Sequence, residues 1–339
     1  MITRLTSVSR GVVPAALACT LVVTGCSALT GQDDVVRVYS ARHYELEAAF
    51  NQFTSETGIE VEFLYGTDAE MRERIDAEGE DTAADVYMTV DAGNLVLAAD
   101  EGIFQPLRSD VLTEAVPEQF RDTDNRWFGL AERARTIVYD PSRVDPSQLS
   151  TYEDLADPKW DGRLCLRGST ETYTQALVAS LIARHGYDEA KQIVEGWIDD
   201  AQIFSNDVDM MENIASGNCQ VGIANHYYLA QQLAEDPDFG VSLFWANQDT
   251  SGTHVNISGA GVTANSDDPE LAQQLLEWLA TDGQEAFTSG NFEYPVNPNV
   301  EPVPLVQGFG DFRADSLHAS ELGQYNAEAV QLMAEVGYE

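Results

Sequence analysis

Positive charge is scarce in this 339-residue chain: 18 Lys and Arg face 57 Asp and Glu, for a net charge of −39. Phosphate backbones and anionic lipid headgroups are repelled by such a surface, which excludes nucleic acid as a partner. A solvated acidic exterior suited to salty surroundings accounts for the imbalance, and it would also draw cations at low ionic strength. Long apolar runs are missing too, since nothing after Val23 approaches the roughly 18 unbroken apolar residues of a membrane helix. Cysteine is limited to four positions, Cys19, Cys26, Cys165 and Cys219, with no paired histidines nearby, so zinc-ligand spacing is absent. The five histidines, His43, His185, His226, His254 and His318, are scattered. None forms His-Glu-x-x-His, and no Gly-x-Ser-x-Gly elbow occurs. Ser258-Gly259-Ala260-Gly261 lacks the lysine frame of a phosphate-binding loop, and paired carboxylates carry no signal in so acidic a chain. An enzyme is therefore not expected.

What is present begins with an address. Arg4 and Arg10 precede an apolar stretch from Gly11 to Val23 that ends Val23-Thr24-Gly25-Cys26. Small residues before a plus-one cysteine form a lipobox, so residues 1–25 read as a signal peptide and Cys26 as the acylated N-terminus. Residues 26–33 read as a polar tether. The expected location is the periplasm or cell surface, with a lipid holding the protein to a membrane. Cleavage removes Cys19 and lipidation occupies Cys26, leaving Cys165 and Cys219 as an even pair in an oxidising compartment. Both lie in strand-like contexts, and a disulfide between neighbouring strands is expected.

About 300 residues remain, enough for two lobes. Strand and helix patterns alternate: Val35 to Tyr39, then a helix with Leu46, Ala49, Phe50 and Phe53 on one face, then Val61 to Tyr65, a charged helix from Ala69 to Glu78, and Asp85 to Val90. This βαβαβ opening predicts an α/β sheet with ligand loops at strand C-termini. Further strands are expected at Thr136 to Tyr139, Gln220 to Ala224 and Ser242 to Trp245, and helices at Thr174 to Arg184, Tyr187 to Ile198, Asp209 to Ser216 and Pro269 to Thr281. The Pro- and Asp-rich stretch from Tyr139 to Gly162 reads as a surface connection.

Tyrosine recurs at the corners of this pattern. Tyr227-Tyr228 stands between an apolar run and a helical stretch, Tyr173 in Glu171-Thr172-Tyr173-Thr174 likewise follows a strand, and Tyr44 in Arg42-His43-Tyr44 follows the first strand. Any one of these could simply pack. As a group at three strand-to-helix corners they could also present hard anionic phenolate oxygens, the donor type suited to ferric iron. A free phenol has a pKa near 10, so coordination to a trivalent cation would have to supply the ionisation.

Several ordered motifs carry a family resemblance: Tyr39-Ser40-Ala41-Arg42-His43-Tyr44, Phe53-Thr54-Ser55-Glu56-Thr57-Gly58-Ile59, Ala84-Asp85-Val86, Gly102-Ile103-Phe104, Arg133-Ala134-Arg135, Asp157 through Arg163, Asn225-His226-Tyr227-Tyr228 and Glu293-Tyr294-Pro295-Val296. From about Val35 to the C-terminus the chain resembles the ferric-ion-binding periplasmic proteins of ABC transporters. The resemblance implies a two-lobe periplasmic-binding-protein (Venus-flytrap) fold, type II-like, with hinge strands between an N-terminal lobe of residues 34–131 plus 258–312 and a C-terminal lobe of residues 132–257 plus 313–339. It implies a monomer that captures Fe(III), as the free ion or a chelate, in the inter-lobe cleft and delivers it to a membrane permease. Carried residue by residue, the metal ligands fall on Tyr44, Tyr173, Tyr227 and Tyr228. His43 matches a ligand of a sister subgroup that also uses a glutamate, but the matching position here is Val90, which cannot coordinate, so His43 is left as an occasional or outer ligand. Gln231 stands where some relatives carry arginine. Arg133 and Arg135 are candidates for charge compensation. Glu171 occupies the neighbourhood in which the sister subgroup cradles an anion, which disfavours phosphate and leaves carbonate or water open. The alternative cargo on the same scaffold is an organic solute or oxyanion, contacted by Arg133 and Arg135.

Overall fold

The structure, a computed structural model, describes residues 34–42 and 47–339. The expected signal peptide and tether, with Cys26, and the candidate residues His43 and Tyr44 lie outside the described residues. Among the described residues ten strands are present: β1 (Val35–Ser40), β2 (Glu60–Tyr65), β3 (Val86–Thr89), β4 (Phe128–Tyr139), β5 (Leu164–Arg167), β6 (Gln202–Phe204), β7 (Val221–Asn225), β8 (Ser242–Phe244), β9 (Val255–Val262) and β10 (Tyr294–Pro295). The helices are α1 (Glu47–Thr57), α2 (Asp68–Glu78), α3 (Ala92–Asp100), α4 (Asp110–Ala115), α5 (Thr172–His185), α6 (Tyr187–Ile198), α7 (Asp207–Ser216), α8 (His226–Glu235), α9 (Pro269–Ala280), α10 (Gln284–Ser289), α11 (Pro304–Gln307) and α12 (Ala319–Val336).

Strand order is β2-β1-β3-β9-β4-β7-β5-β6, with β8 and β10 also on β4. The opening β1-α1-β2-α2-β3 is parallel, as its alternation requires, with Val38 opposite both Phe63 and Val86. A capping box starts α2: Thr67 accepts the Glu70 amide at 3.2 Å and Glu70 accepts the Thr67 amide at 2.8 Å. β4 holds the two halves of the molecule together. Its first part, Phe128 to Ala134, pairs with β9, and its second part, Arg135 to Tyr139, pairs with β7.

Core packing changes at the same point. Phe128, Leu130, Ala131 and Ala134 of β4 join an apolar cluster with β1, β3, β9, α1, α3 and α9, whereas Ile137 and Tyr139 join a second cluster with β5, α5 and α6. The last helix touches both: Ala319 and Leu322 lie in the first cluster, Ala329, Leu332 and Met333 in the second. Where Gly323 faces α3, an added Cβ would come 2.8 Å from Val96 Cβ, so the helices can approach this closely only without a side chain there.

Three expectations need correction. The segment from Tyr139 to Gly162 is more than a surface connection: Val144, Leu149, Tyr152, Leu155 and Trp160 are buried in the second core, because its short 3-10 turns fold these side chains inward. The strand expected from Thr136 starts eight residues earlier, at Phe128. Cys219 precedes β7 instead of lying within a strand, although it is bridged to Cys165 of β5 with a Cα–Cα separation of 6.1 Å.

Candidate metal centre

Three of the expected tyrosines converge. Tyr173 is the second residue of α5, and Tyr227 and Tyr228 are the second and third of α8. Both helices follow strands of one sheet, β5 and β7, whose parallel pairing brings the two strand C-termini to the same edge. Ring centroids of Tyr227 and Tyr228 are 4.3 Å apart, and those of Tyr173 and Tyr228 are 6.4 Å apart. Tyr227 is buried, while Tyr173 and Tyr228 are partly exposed.

The phenols are held by charged and amide groups. Tyr173 donates its hydroxyl hydrogen to Asp207 Oδ2 at 2.6 Å and accepts from Arg167 Nε at 3.3 Å. The Arg135 guanidinium lies 4.7 Å from the Tyr173 ring centroid and 3.4 Å from Asp207 Oδ1. Asn225 precedes α8 but makes no side-chain cap. Its amide donates to Tyr227 Oη at 3.1 Å, and its carbonyl faces Arg135 Nη1 at 3.4 Å. Burial raises the Tyr173 phenol above the ordinary tyrosine value, and the Asp207 charge adds to the effect. Tyr228 is raised in the same way, first by burial and then by Tyr173 and Asp207. Both are therefore neutral donors in the metal-free protein, and a cation must displace their protons to bind.

The other expected residues are placed differently. Arg133 turns to the first core, where its Nε is 3.8 Å from Glu293 and its Nη2 donates to the Ile257 carbonyl at 3.2 Å. Gln231 donates to Asn291 Oδ1 at 2.8 Å, so it ties α8 to the turn before β10. His226, next to Tyr227, is fully buried and pushed down to about 4 by desolvation, with Nδ1 at the Ala134 backbone and Nε2 at the Phe292 carbonyl. Val90 presents only its backbone to a carboxylate, donating to Asp68 Oδ1 at 3.3 Å. Asp207 was not anticipated from the sequence. One aspartate among 57 acidic residues gives no signal, and only the fold brings α7 beside α5.

An open groove of about 600 Å³ lies apart from Tyr173, Tyr227 and Tyr228, between Leu229 and Leu233 of α8, β8 and Phe309. No helix among the described residues is long and apolar enough to cross a membrane.

Two α/β halves sharing the long strand β4, with a phenol cluster at the strand C-termini of one half, define a two-domain fold of the periplasmic-binding-protein kind. The sequence profile of the bacterial extracellular solute-binding protein family matches residues 39–286. Over 318 residues the chain is 39% identical to Iron uptake protein A1 of Synechocystis sp., spanning 91% of this chain and 88% of that protein. Trichodesmium FutA (IdiA), solved in complex with iron and citrate ligands, matches with a TM-score of 0.86 and 40% identity over 90% of this chain and all of that one. A ferric binding protein from Campylobacter jejuni matches with a TM-score of 0.82 and 31% identity, again over 90% of this chain and all of that one. The chain belongs to the bacterial extracellular solute-binding proteins, in the group that contains these iron-uptake and ferric-binding proteins. Members of this family bind solutes and are not enzymes.

Proposed function

We propose that the protein captures ferric iron outside the cytoplasm, between its two lobes, and hands it to the membrane permease of an ABC transporter. The observation that carries this reading is the convergence of Tyr173, Tyr227 and Tyr228 from two helix N-termini. The names of the relatives, an iron uptake protein and a ferric binding protein, point the same way. Three phenolates neutralise a trivalent cation, and hard anionic oxygens select Fe(III) over softer ions.

Tyr44, two residues beyond the buried Arg42, supplies the fourth phenolate from the first lobe, and His43 is an outer or occasional ligand. The lobes comprise residues 34–131 plus 258–312 and residues 132–257 plus 313–339, joined by a type II hinge of which β4 is the main strand. They close on the ion. Arg135 acts around the ligands rather than on the metal, while Arg133 and Gln231 hold the segments behind them. The mature protein is a monomer held at the periplasmic or outer cell surface by a lipid on Cys26.

Titration of the metal-free protein with ferric citrate tests this. A visible phenolate-to-iron charge-transfer band should appear, reach saturation at one iron per chain, and weaken in Tyr227→Phe and Tyr228→Phe. Absence of the band, or tighter binding of an oxyanion or polyamine in thermal-shift comparison, would reject ferric iron as cargo.

A further inference from the structure

The turn between α10 and β10, Asn291-Phe292-Glu293, belongs to the first half, since Phe287 and Val296 on either side of it lie in the first core. It is nevertheless held from both halves. On the second-half side, Gln231 of α8 donates to Asn291 Oδ1 at 2.8 Å, and His226, the first residue of α8, meets the Phe292 carbonyl through Nε2 at 2.9 Å. The Ala134 amide of β4 donates to Nδ1 of the same ring at 3.2 Å, which leaves Nε2 as the nitrogen that donates. On the first-half side, the fully buried Glu293 side chain lies 2.6 Å from Arg42 Nη1. Arg42 is fixed in turn by Ser40, whose hydroxyl donates to the Arg42 carbonyl at 2.7 Å and accepts the Arg42 amide at 3.0 Å. Three consecutive residues thus touch the segment that leads into Tyr227 and Tyr228 and the segment that leads into His43 and Tyr44.

The backbone of the turn reflects this double hold. Phe292 has a φ of +54°, a left-handed conformation that is costly for a bulky side chain and persists where the surroundings over-determine it. Its amide donates to the Ser289 carbonyl at 3.2 Å, and the Glu293 amide donates to the Thr288 carbonyl at 3.1 Å. Glycine usually takes such a place after a helix, and a phenylalanine there leaves the turn fewer shapes to adopt.

We infer that the turn Asn291-Phe292-Glu293 couples the two ligand-bearing segments, so that iron held by the phenols of the second half also orders the segment through Arg42 in the first. The inference rests on the ferric reading above. Asn291 and Glu293 are positioning residues and do not touch the metal. Without this link each half would have to order its own ligands on loading, whereas with it the ordering of one already restricts the other.

Hydrogen–deuterium exchange of the whole protein tests the coupling, in a His43→Ala/Tyr44→Phe background that confines the proposed ligands to the second half. Saturating ferric citrate should slow exchange at residues 225–230 and, through the turn, at residues 39–42. Adding Asn291→Ala or Gln231→Ala should keep the protection at 225–230 and abolish it at 39–42. Gln231 is partly exposed, so its variant carries the test if Asn291→Ala does not fold. With both native ligand segments present, each substitution should weaken ferric binding by about fivefold, the loss of one net hydrogen bond, and the two together should weaken it no further. A merely structural role would lower the urea midpoint of the metal-free protein and leave the iron-induced protection at 39–42 intact. The inference is overturned if that protection survives both substitutions, or if iron changes 225–230 in wild type but never reaches 39–42 in the His43→Ala/Tyr44→Phe protein. A wild type in which ferric citrate leaves exchange at 225–230 unchanged would instead reject the ferric reading itself.

Discussion

Arg42 offers the sharpest test of how the first lobe is held. Its guanidinium is fully buried, 2.6 Å from Glu293 Oε2, whose side chain is also fully buried. It donates to Ser258 Oγ at 3.1 Å and the Phe287 carbonyl at 3.1 Å, and it lies 4.2 Å from the Phe287 ring centroid. Arg42→Met would leave the Glu293 carboxylate in the core facing Arg133, whose Nε is 3.8 Å away. Breaking a buried pair by removing one member costs about 3–5 kcal/mol, most of it the penalty of the charge left behind. Urea unfolding of the metal-free protein should show that loss as a lower midpoint. Adding Glu293→Gln to Arg42→Met should recover part of it, because the stranded charge disappears, whereas Glu293→Gln alone should destabilise. A cost below about 1 kcal/mol for Arg42→Met, or strictly additive effects in the double variant, would refute the claim that this pair is a coupled buried lock. Since Arg42 leads directly into His43 and Tyr44, Arg42→Met should also weaken ferric binding in the same preparation.

Replacement of Tyr173, Tyr227 or Tyr228 by Phe should each lower ferric affinity by about tenfold or more, as expected for loss of a charged donor, and reduce the charge-transfer absorbance. Retention of full affinity in all three, measured by competition with citrate, would rule out the cluster. Acid should destabilise the fold through His226 and His254, which burial pushes down to about 4 and about 3, with Arg135 adding to the effect at His254. Because their folded values lie below the ordinary histidine value, their stabilising contribution is complete above about pH 6.5 and is lost as pH falls toward 4 for His226 and toward 3 for His254, on the order of 3 to 5 kcal/mol per group in full. Urea midpoints between pH 7 and 5 should fall, and should fall less in His226→Gln. Reduction of the Cys165–Cys219 bridge, which closes a 54-residue separation, should cost about 2–4 kcal/mol in the same assay.

The opening of the fold was readable because β1, β2 and β3 each carry a short apolar run, α1 is amphipathic and α2 is a charged helix between two strand patterns. β9 was not. Its sequence, Val-Asn-Ile-Ser-Gly-Ala-Gly-Val, looks like a loop, yet a Cβ at Gly259 would lie 2.6 Å from the Phe128 carbonyl oxygen and one at Gly261 2.5 Å from that of Arg126. These glycines mark close approach to neighbouring backbone, a tertiary constraint that local composition cannot show. Only the end of β4 was read as strand because Glu132, Arg133 and Arg135 interrupt its apolar pattern. The structure buries both arginines against carboxylates drawn from distant segments. α3 also escaped notice, since its buried residues Ala92, Gly93, Ala98 and Ala99 are small and give a weak periodic signal.

The tyrosines were readable for the opposite reason, as chemically distinctive residues at corners where an α/β sheet places its ligand loops. Their relation to β4 depends on register. Arg135 pairs with Asn225, which sets the chain direction into Tyr227 and Tyr228, while Arg133 pairs with Asn256 of β9. Two residues apart on a strand, Arg133 and Arg135 share one face. One turns toward Glu293 in the first core and the other toward Asp207 beside the phenols. The strand joining the lobes thus carries one guanidinium to a buried carboxylate on each side. A one-residue slip of β4 against β7 would separate Arg135 from Asn225 and Asp207 together, and could not be absorbed by changes at the tyrosines alone. In so acidic a protein, the long strand shared by both halves thus concentrates two arginines at its centre, each held by a buried carboxylate, and its register against β7 keeps Arg135 in reach of Asn225 and Asp207 beside the phenol oxygens.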